Sequence, residues 1–131
     1  MKTSELQGAA LDWAVAKCEG HDNVRVKERD DLSKAIVIME HTSCPDNKPG
    51  CAVMHLKGTY YDPTTNWSQG GPILDREKMM LEPYNDQWRA HKFTDEPPFI
   101  KAFGPTMLTA GLRCFIASRL GDEVDVPEEL K

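Results

Sequence analysis

The stretch from Gly104 to Gly121 constrains the fold more than any other part of the sequence. Thr106 stands where an N-cap belongs, with Pro105 as the alternative first-turn residue, and Leu108, Leu112, Phe115, Ile116 and Leu120 recur at helical spacing. Gly121 supplies a left-handed stop. A helix with one apolar stripe must bury it against another element, so the rest of the chain has to provide that partner. A second helix is predicted over residues 4–19: Ser4 and Gln7 have capping-box spacing, Leu6, Ala10, Trp13 and Ala14 share a face, and Gly20 ends it. Trp13 reads as a core anchor on that face, with a ligand role as the alternative.

Between the helices the texture is that of strands. Val24 to Lys27 alternates, Ala35 to Glu40 is a short β-branched run, and Ala52 to Leu56 resumes the pattern after a polar loop broken by Pro45, Pro49 and Gly50. Residues 21–58 therefore read as a hairpin-like excursion. Met79 to Glu82 and Gln87 to Ala90 flank the turn Pro83-Tyr84-Asn85-Asp86, and Thr94 to Phe103, with Pro97-Pro98, reads as a connection. The expectation is one α+β domain over residues 1–131: a short, mostly antiparallel sheet flanked by an N-terminal and a C-terminal helix, with an acidic tail at 122–131.

At 131 residues such a domain can form a core without metal or disulfide staples, and 40% hydrophobic with 28% charged residues fits neither a membrane protein nor a disordered chain. The longest apolar run, Ala35 to Met39, is far short of a bilayer span, and Met1-Lys2-Thr3-Ser4-Glu5 lacks the apolar core of a secretory signal. A cytoplasmic protein is expected, in which the sequon Asn66-Trp67-Ser68 carries no meaning and the four cysteines are reduced thiols. Of the net charge of −5, residues 122–131 hold −4, leaving a nearly neutral body. No basic cluster tracks a phosphate backbone, which argues against direct binding of duplex nucleic acid. The tail reads as a solvated end.

Familiar catalytic signatures are missing: no G-x-S-x-G elbow, Walker loop, G-x-G-x-x-G, H-E-x-x-H or C-x-x-C occurs. His41, Cys44, Cys51 and His55 are zinc-type donors, but their H-x2-C-x6-C-x3-H spacing is atypical of fingers, so loop thiols and surface imidazoles without metal or other cofactor are the default. The better candidate site lies between Tyr61 and Gly71. There Tyr60, Tyr61 and Trp67 offer aromatic faces, Thr64, Thr65, Asn66, Ser68 and Gln69 offer neutral hydrogen-bonding groups, and Gly70 and Gly71 let the backbone approach a ligand. The alternative is a packed loop in which the aromatics plug the sheet end. An anion seat is a second expectation, built from the helix N-terminus at Thr106 with Arg113 seven positions on, and Arg76 as a further cation; surface salt bridges are the alternative for both arginines. Asp62, Asp75 and Glu77 are acid/base candidates, but carboxylates so placed are more often structural, and an enzyme is not expected.

Several segments resemble a known family. Lys2-Thr3-Ser4-Glu5-Leu6 with Ala10-Leu11-Asp12-Trp13-Ala14-Val15-Ala16, the central run Tyr61-Asp62-Pro63-Thr64-Thr65-Asn66-Trp67-Ser68-Gln69-Gly70-Gly71-Pro72-Ile73, Trp88-Arg89-Ala90, Gly104-Pro105-Thr106 through Arg113, and Leu120-Gly121-Asp122-Glu123-Val124 are similar to the NinX-like phage proteins, a family of unknown function. Residues 21–56 depart from it. The resemblance implies an accessory protein of tailed phages and prophages made in the infected bacterium's cytoplasm, and implies no catalytic residue. Together these readings predict a non-catalytic module that sequesters a small polar ligand, such as a nucleotide immune signal, as a homo-oligomer. Its ligand-binding candidates are Tyr61, Thr65, Asn66, Trp67, Gln69, Gly70, Gly71, Arg76, Thr106 and Arg113. The alternative is a protein–protein adaptor that inhibits a host factor, with exposed aromatics as anchors and the acidic tail imitating nucleic acid.

Overall fold

The computed structural model describes residues 1–21, 23–28, 33–42, 55–92 and 100–130. Its organising element is the closing helix, Met107–Leu120. The Thr106 side chain accepts the Thr109 N–H at 3.1 Å as the N-cap, and Gly121 leaves the helix at φ 84°. Leu108, Leu112, Phe115 and Ile116 fill the main core with Leu6, Leu11, Val15, Ile73 and Leu74. Ala110 and Cys114 face the other way and meet Ala90 and Trp88. The helix is thus buried on two flanks, and small side chains on the second allow a sheet to lie close.

The first helix is Gly8–Cys18, shorter than the sequence predicts. Residues Thr3–Glu5 form a separate 3-10 turn, and Gln7 stands at the N-cap position without a side-chain bond. The capping box loses to a distant partner. Thr3 donates its N–H to the Asp122 carbonyl at 2.7 Å and its hydroxyl to the Gly121 carbonyl at 2.6 Å, and Lys2 bridges Glu123 antiparallel. The middle helix is Trp67–Arg76, in a stretch whose sequence is not cleanly helical because Pro72 sits inside it. We number the helices α1 (Gly8–Cys18), α2 (Trp67–Arg76) and α3 (Met107–Leu120).

The strands are β1 (Val24–Glu28), β2 (Lys34–Thr42), β3 (His55–Tyr60), β4 (Met80–Tyr84), β5 (Gln87–Lys92) and β6 (Ile100–Gly104). The fold is α+β as expected, but the antiparallel strands divide into two sheets, β1-β2-β3 and β4-β5-β6. β2 is central in the first, with Val37 opposite both Arg25 and Tyr60. β6 occupies sequence read as a connection; it forms by pairing Trp88 with Gly104 and Lys92 with Ile100, a non-local match that five residues do not advertise. The acidic tail is no free end: Val124 and Val126 are buried in the main core while Asp122, Glu123 and Asp125 face solvent. Among the described residues, no helix is long and apolar enough to cross a membrane.

Candidate functional site

The loop from Tyr60 into α2 is braced from beneath. Buried Asp12 of α1 accepts the Thr64 N–H at 3.0 Å and the Thr64 hydroxyl at 2.8 Å through one carboxylate oxygen. The Gln69 side chain bridges two backbone groups, accepting the Asp62 N–H at 2.6 Å and donating to the Tyr60 carbonyl at 2.9 Å. Asn66 caps α2 by accepting the Ser68 N–H at 3.0 Å, and the Thr65 hydroxyl leans on the Asp62 carbonyl at 3.5 Å. Gly70 is needed for close packing: a Cβ there would collide with the Pro63 carbonyl oxygen and stand 2.7 Å from a Leu108 methyl. Gly71 has no such crowding, since a Cβ would meet Trp67 at an ordinary 3.5 Å.

The side chains of Asn66 and Gln69 are therefore occupied within the chain, and the aromatics divide. Tyr61 is half-buried against the core, edge-on to His21 at 5.3 Å; burial, then the Glu19 and Asp12 charges, pushes its phenol up from the ordinary range. Trp67 is 53% exposed and Tyr60 47%, the latter with the Lys27 ammonium 5.6 Å from its ring centre.

The two arginines also part company. Arg76 forks onto Glu19, with one bond of 2.9 Å, and reaches Glu77 at 3.3 Å; the Glu19 hydrogen bond raises its pKa. Glu77 is a hub whose side chain is only 9% exposed and which accepts from Lys92 at 2.7 Å and Arg119 at 2.9 Å. Burial alone would push its carboxyl up, but Lys92, Arg119 and Arg76 together hold it down at about 2. This arrangement is structural, an ion-pair tie between α2, β5 and α3.

Arg113 is different. Its guanidinium donates to the Leu6 carbonyl at 2.7 Å and the Phe103 carbonyl at 2.8 Å, and no carboxylate among the described residues forms an ion pair with it. Burial lowers its pKa. It lines a cleft of about 430 Å³ with Lys2, Ser4, Gln87, Lys101 and Phe103, rimmed by Asp122 and Glu123. Two carbonyl dipoles orient a partly desolvated cation but do not neutralise it, and with Lys2 and Lys101 set against Asp122 and Glu123 the Arg113 charge is the one left in excess in the lining. Thr106, by contrast, spends its hydroxyl oxygen on its own helix. None of residues 60–76 lines this cleft, so Trp67 and Arg113 do not share it. Only Arg113 of the cleft was identified from sequence. Lys2 and Ser4 reach it through the pairing of residues 2–3 with 121–123, for which no local pattern exists.

Elsewhere, the outward face of the second sheet carries Glu82 between Arg89 and His91 at 2.8 Å, and the hydrogen bonds from His91 and then Arg89 lower the Glu82 pKa. Cys44 and Cys51 lie outside the described residues, as do the side chains of His41 and His55, so the Cys/His loop is not part of this description.

The family described as Bacteriophage P22, NinX matches residues 2–119, and the chain belongs to it. No curated protein matches the chain.

Proposed function

We propose that this member of the NinX family is a phage accessory protein that binds a small polar, nucleotide-like ligand and holds it unaltered in the cytoplasm of the infected cell, acting against host defence by withdrawing a nucleotide signal. The observation that carries this reading is the Arg113 guanidinium, half-buried in a cleft of about 430 Å³ with carbonyl partners and no ion-pair partner among the described residues. That volume is within the roughly 300–1,000 Å³ of small-molecule sites. Lys2 and Lys101 offset Asp122 and Glu123 and leave the Arg113 charge in excess, and Phe103, 38% exposed and tilted against Tyr84 at 5.5 Å, adds aromatic surface for a base to pack beside. Non-conversion is supported by the lining: among the described residues neither histidine nor cysteine borders the cleft to activate the Ser4 hydroxyl, and Thr3 donates its hydroxyl to a backbone carbonyl. A second copy closing over the open side would complete the enclosure.

The test is thermal shift with cyclic and ADP-ribose-type nucleotides, followed by recovery of the ligand. A stabilising nucleotide, recovered intact and no longer stabilising Arg113→Gln, is expected; no shift with any nucleotide overturns the proposal.

The adaptor reading keeps one specific observation, the exposed Trp67 at the start of α2, next to a loop fixed from below. Deleting the tail is a poor test of it, because Val124 and Val126 leave the core with the acids. Neutralising Asp122, Glu123 and Asp125 in place, beside Trp67→Ala, separates partner capture from unfolding.

A further inference from the structure

One face of the first sheet forms a second hollow. The register places Arg25 and Lys27 of β1, Ala35, Val37 and Met39 of β2, and Gly58 and Tyr60 of β3 on that face. Arg25, Lys27, Val37, Met39, Gly58 and Tyr60 line a groove of about 440 Å³. Its floor is closed by Gly58: a Cβ there would stand 2.9 Å from a Val37 methyl and 3.1 Å from the Met39 sulfur, so only glycine leaves the depression open. Val37 is buried although it belongs to this outer face.

The charge on this face is of one sign. Among its described residues there is no carboxylate; Glu28 and Lys34 pair with each other on the opposite face at 3.2 Å. Neither Arg25 nor Lys27 forms an ion pair among the described residues, and the Lys27 ammonium lies 5.6 Å from the centre of the Tyr60 ring. The Tyr60 backbone is fixed on two sides, by pairing with Val37 and by the bond from Gln69. Tyr60 thus borders an apolar floor in this groove, with Lys27 at its ring and Arg25 in the same lining.

We propose that this groove is a binding site for a planar aromatic phosphate of the nucleoside monophosphate class. The ring of the guest packs between Tyr60 and the Val37–Met39 floor, and its phosphate meets Arg25 and Lys27. Both halves of the guest are required, because the floor gives a lone phosphate nothing to pack on and exposed cations hold a lone phosphate weakly. The site is independent of the cleft at Arg113 and stands or falls separately.

The experiment is a titration of the full ¹⁵N-labelled chain with AMP, adenosine and inorganic phosphate, reading the amide signals of Val37, Met39 and Gly58. Saturable shifts with AMP are expected, with adenosine and phosphate each about tenfold or more weaker. Arg25→Gln with Lys27→Gln should weaken AMP by about tenfold or more, a change of exposed residues that leaves the melting temperature in place. Tyr60→Leu should weaken AMP and leave the response to phosphate unchanged, whereas Arg113→Gln should leave these shifts untouched. The proposal is overturned by unmoved groove amides at millimolar AMP, or by AMP shifts indifferent to the Arg25/Lys27 pair. Ligand-free shifts that grow with protein concentration would assign the face to a second copy and overturn it equally.

Discussion

Replacing Glu77 with Gln removes the one acceptor that, among the described residues, is shared by cations from three elements. The Glu77 carboxyl moves from an ordinary 4.5 to about 2, which corresponds to about 3 kcal/mol of favoured ionisation. That figure is an upper bound. The Arg76 and Arg119 side chains are each 51% exposed, and water screens their share, while Lys92, at 21%, is better shielded. The expected loss for Glu77→Gln at pH 7 is about 1–2 kcal/mol, read by urea denaturation. The sign of the pH dependence follows from a carboxyl that is more acidic folded than unfolded. Its contribution is complete above about pH 5 and fades as pH falls from 4.5 toward 2, so less than half remains at about pH 3. Comparing wild type with Glu77→Gln at each pH cancels the other carboxylates. An equal gap at pH 7 and pH 3, or none at pH 7, would refute the ion-pair reasoning.

Gly70→Ala should destabilise by about 1–3 kcal/mol, because the new methyl meets the Pro63 carbonyl and Leu108; chemical denaturation measures it, and a neutral result removes the packing role given to this glycine. Trp67→Ala should change stability by no more than about 0.5 kcal/mol, since the indole is 53% exposed, so any functional loss belongs to contact with another molecule. Val124→Ala should cost about 1.5–2.5 kcal/mol despite its place in an acidic tail, and a silent substitution would return that segment to solvent. Burial pushes the Cys114 thiol up to about 11, so it should resist alkylation at pH 8 until urea unfolds the chain; rapid labelling of the native protein would contradict the burial.

The two-helix frame was legible because its signals are local. Thr106, the Leu108–Leu112–Phe115–Ile116 stripe and Gly121 lie within one segment, and α3 forms where they predict. The start of α1 was not, because Ser4 and Gln7 offer a cap that the pairing of Thr3 with Gly121 and Asp122 overrides. α2 was hidden by Pro72, although its cap, Asn66, was among the residues singled out. In the central motif, sequence chemistry could identify hydrogen-bonding side chains but not their direction: Gln69 and Asn66 turn inward to the loop, while Trp67 turns out. Arg113 was found as a cation on α3, yet the cleft around it required knowing which strand and which distant segment come to lie beside it.

The clasp between residues 2–3 and 121–123 ties groups 118 positions apart, as in the bond from the Thr3 hydroxyl to Gly121. Contacts so remote in sequence carry a closure entropy that the rest of the fold must offset. Since Lys2, Thr3 and Ser4 make one wall of the Arg113 cleft, an incompletely folded chain has no receptacle to offer. A guest seated there would in return slow the fraying of that clasp, so native-state hydrogen exchange at Thr3 and Val124 would act as an occupancy gauge needing no knowledge of what the guest is.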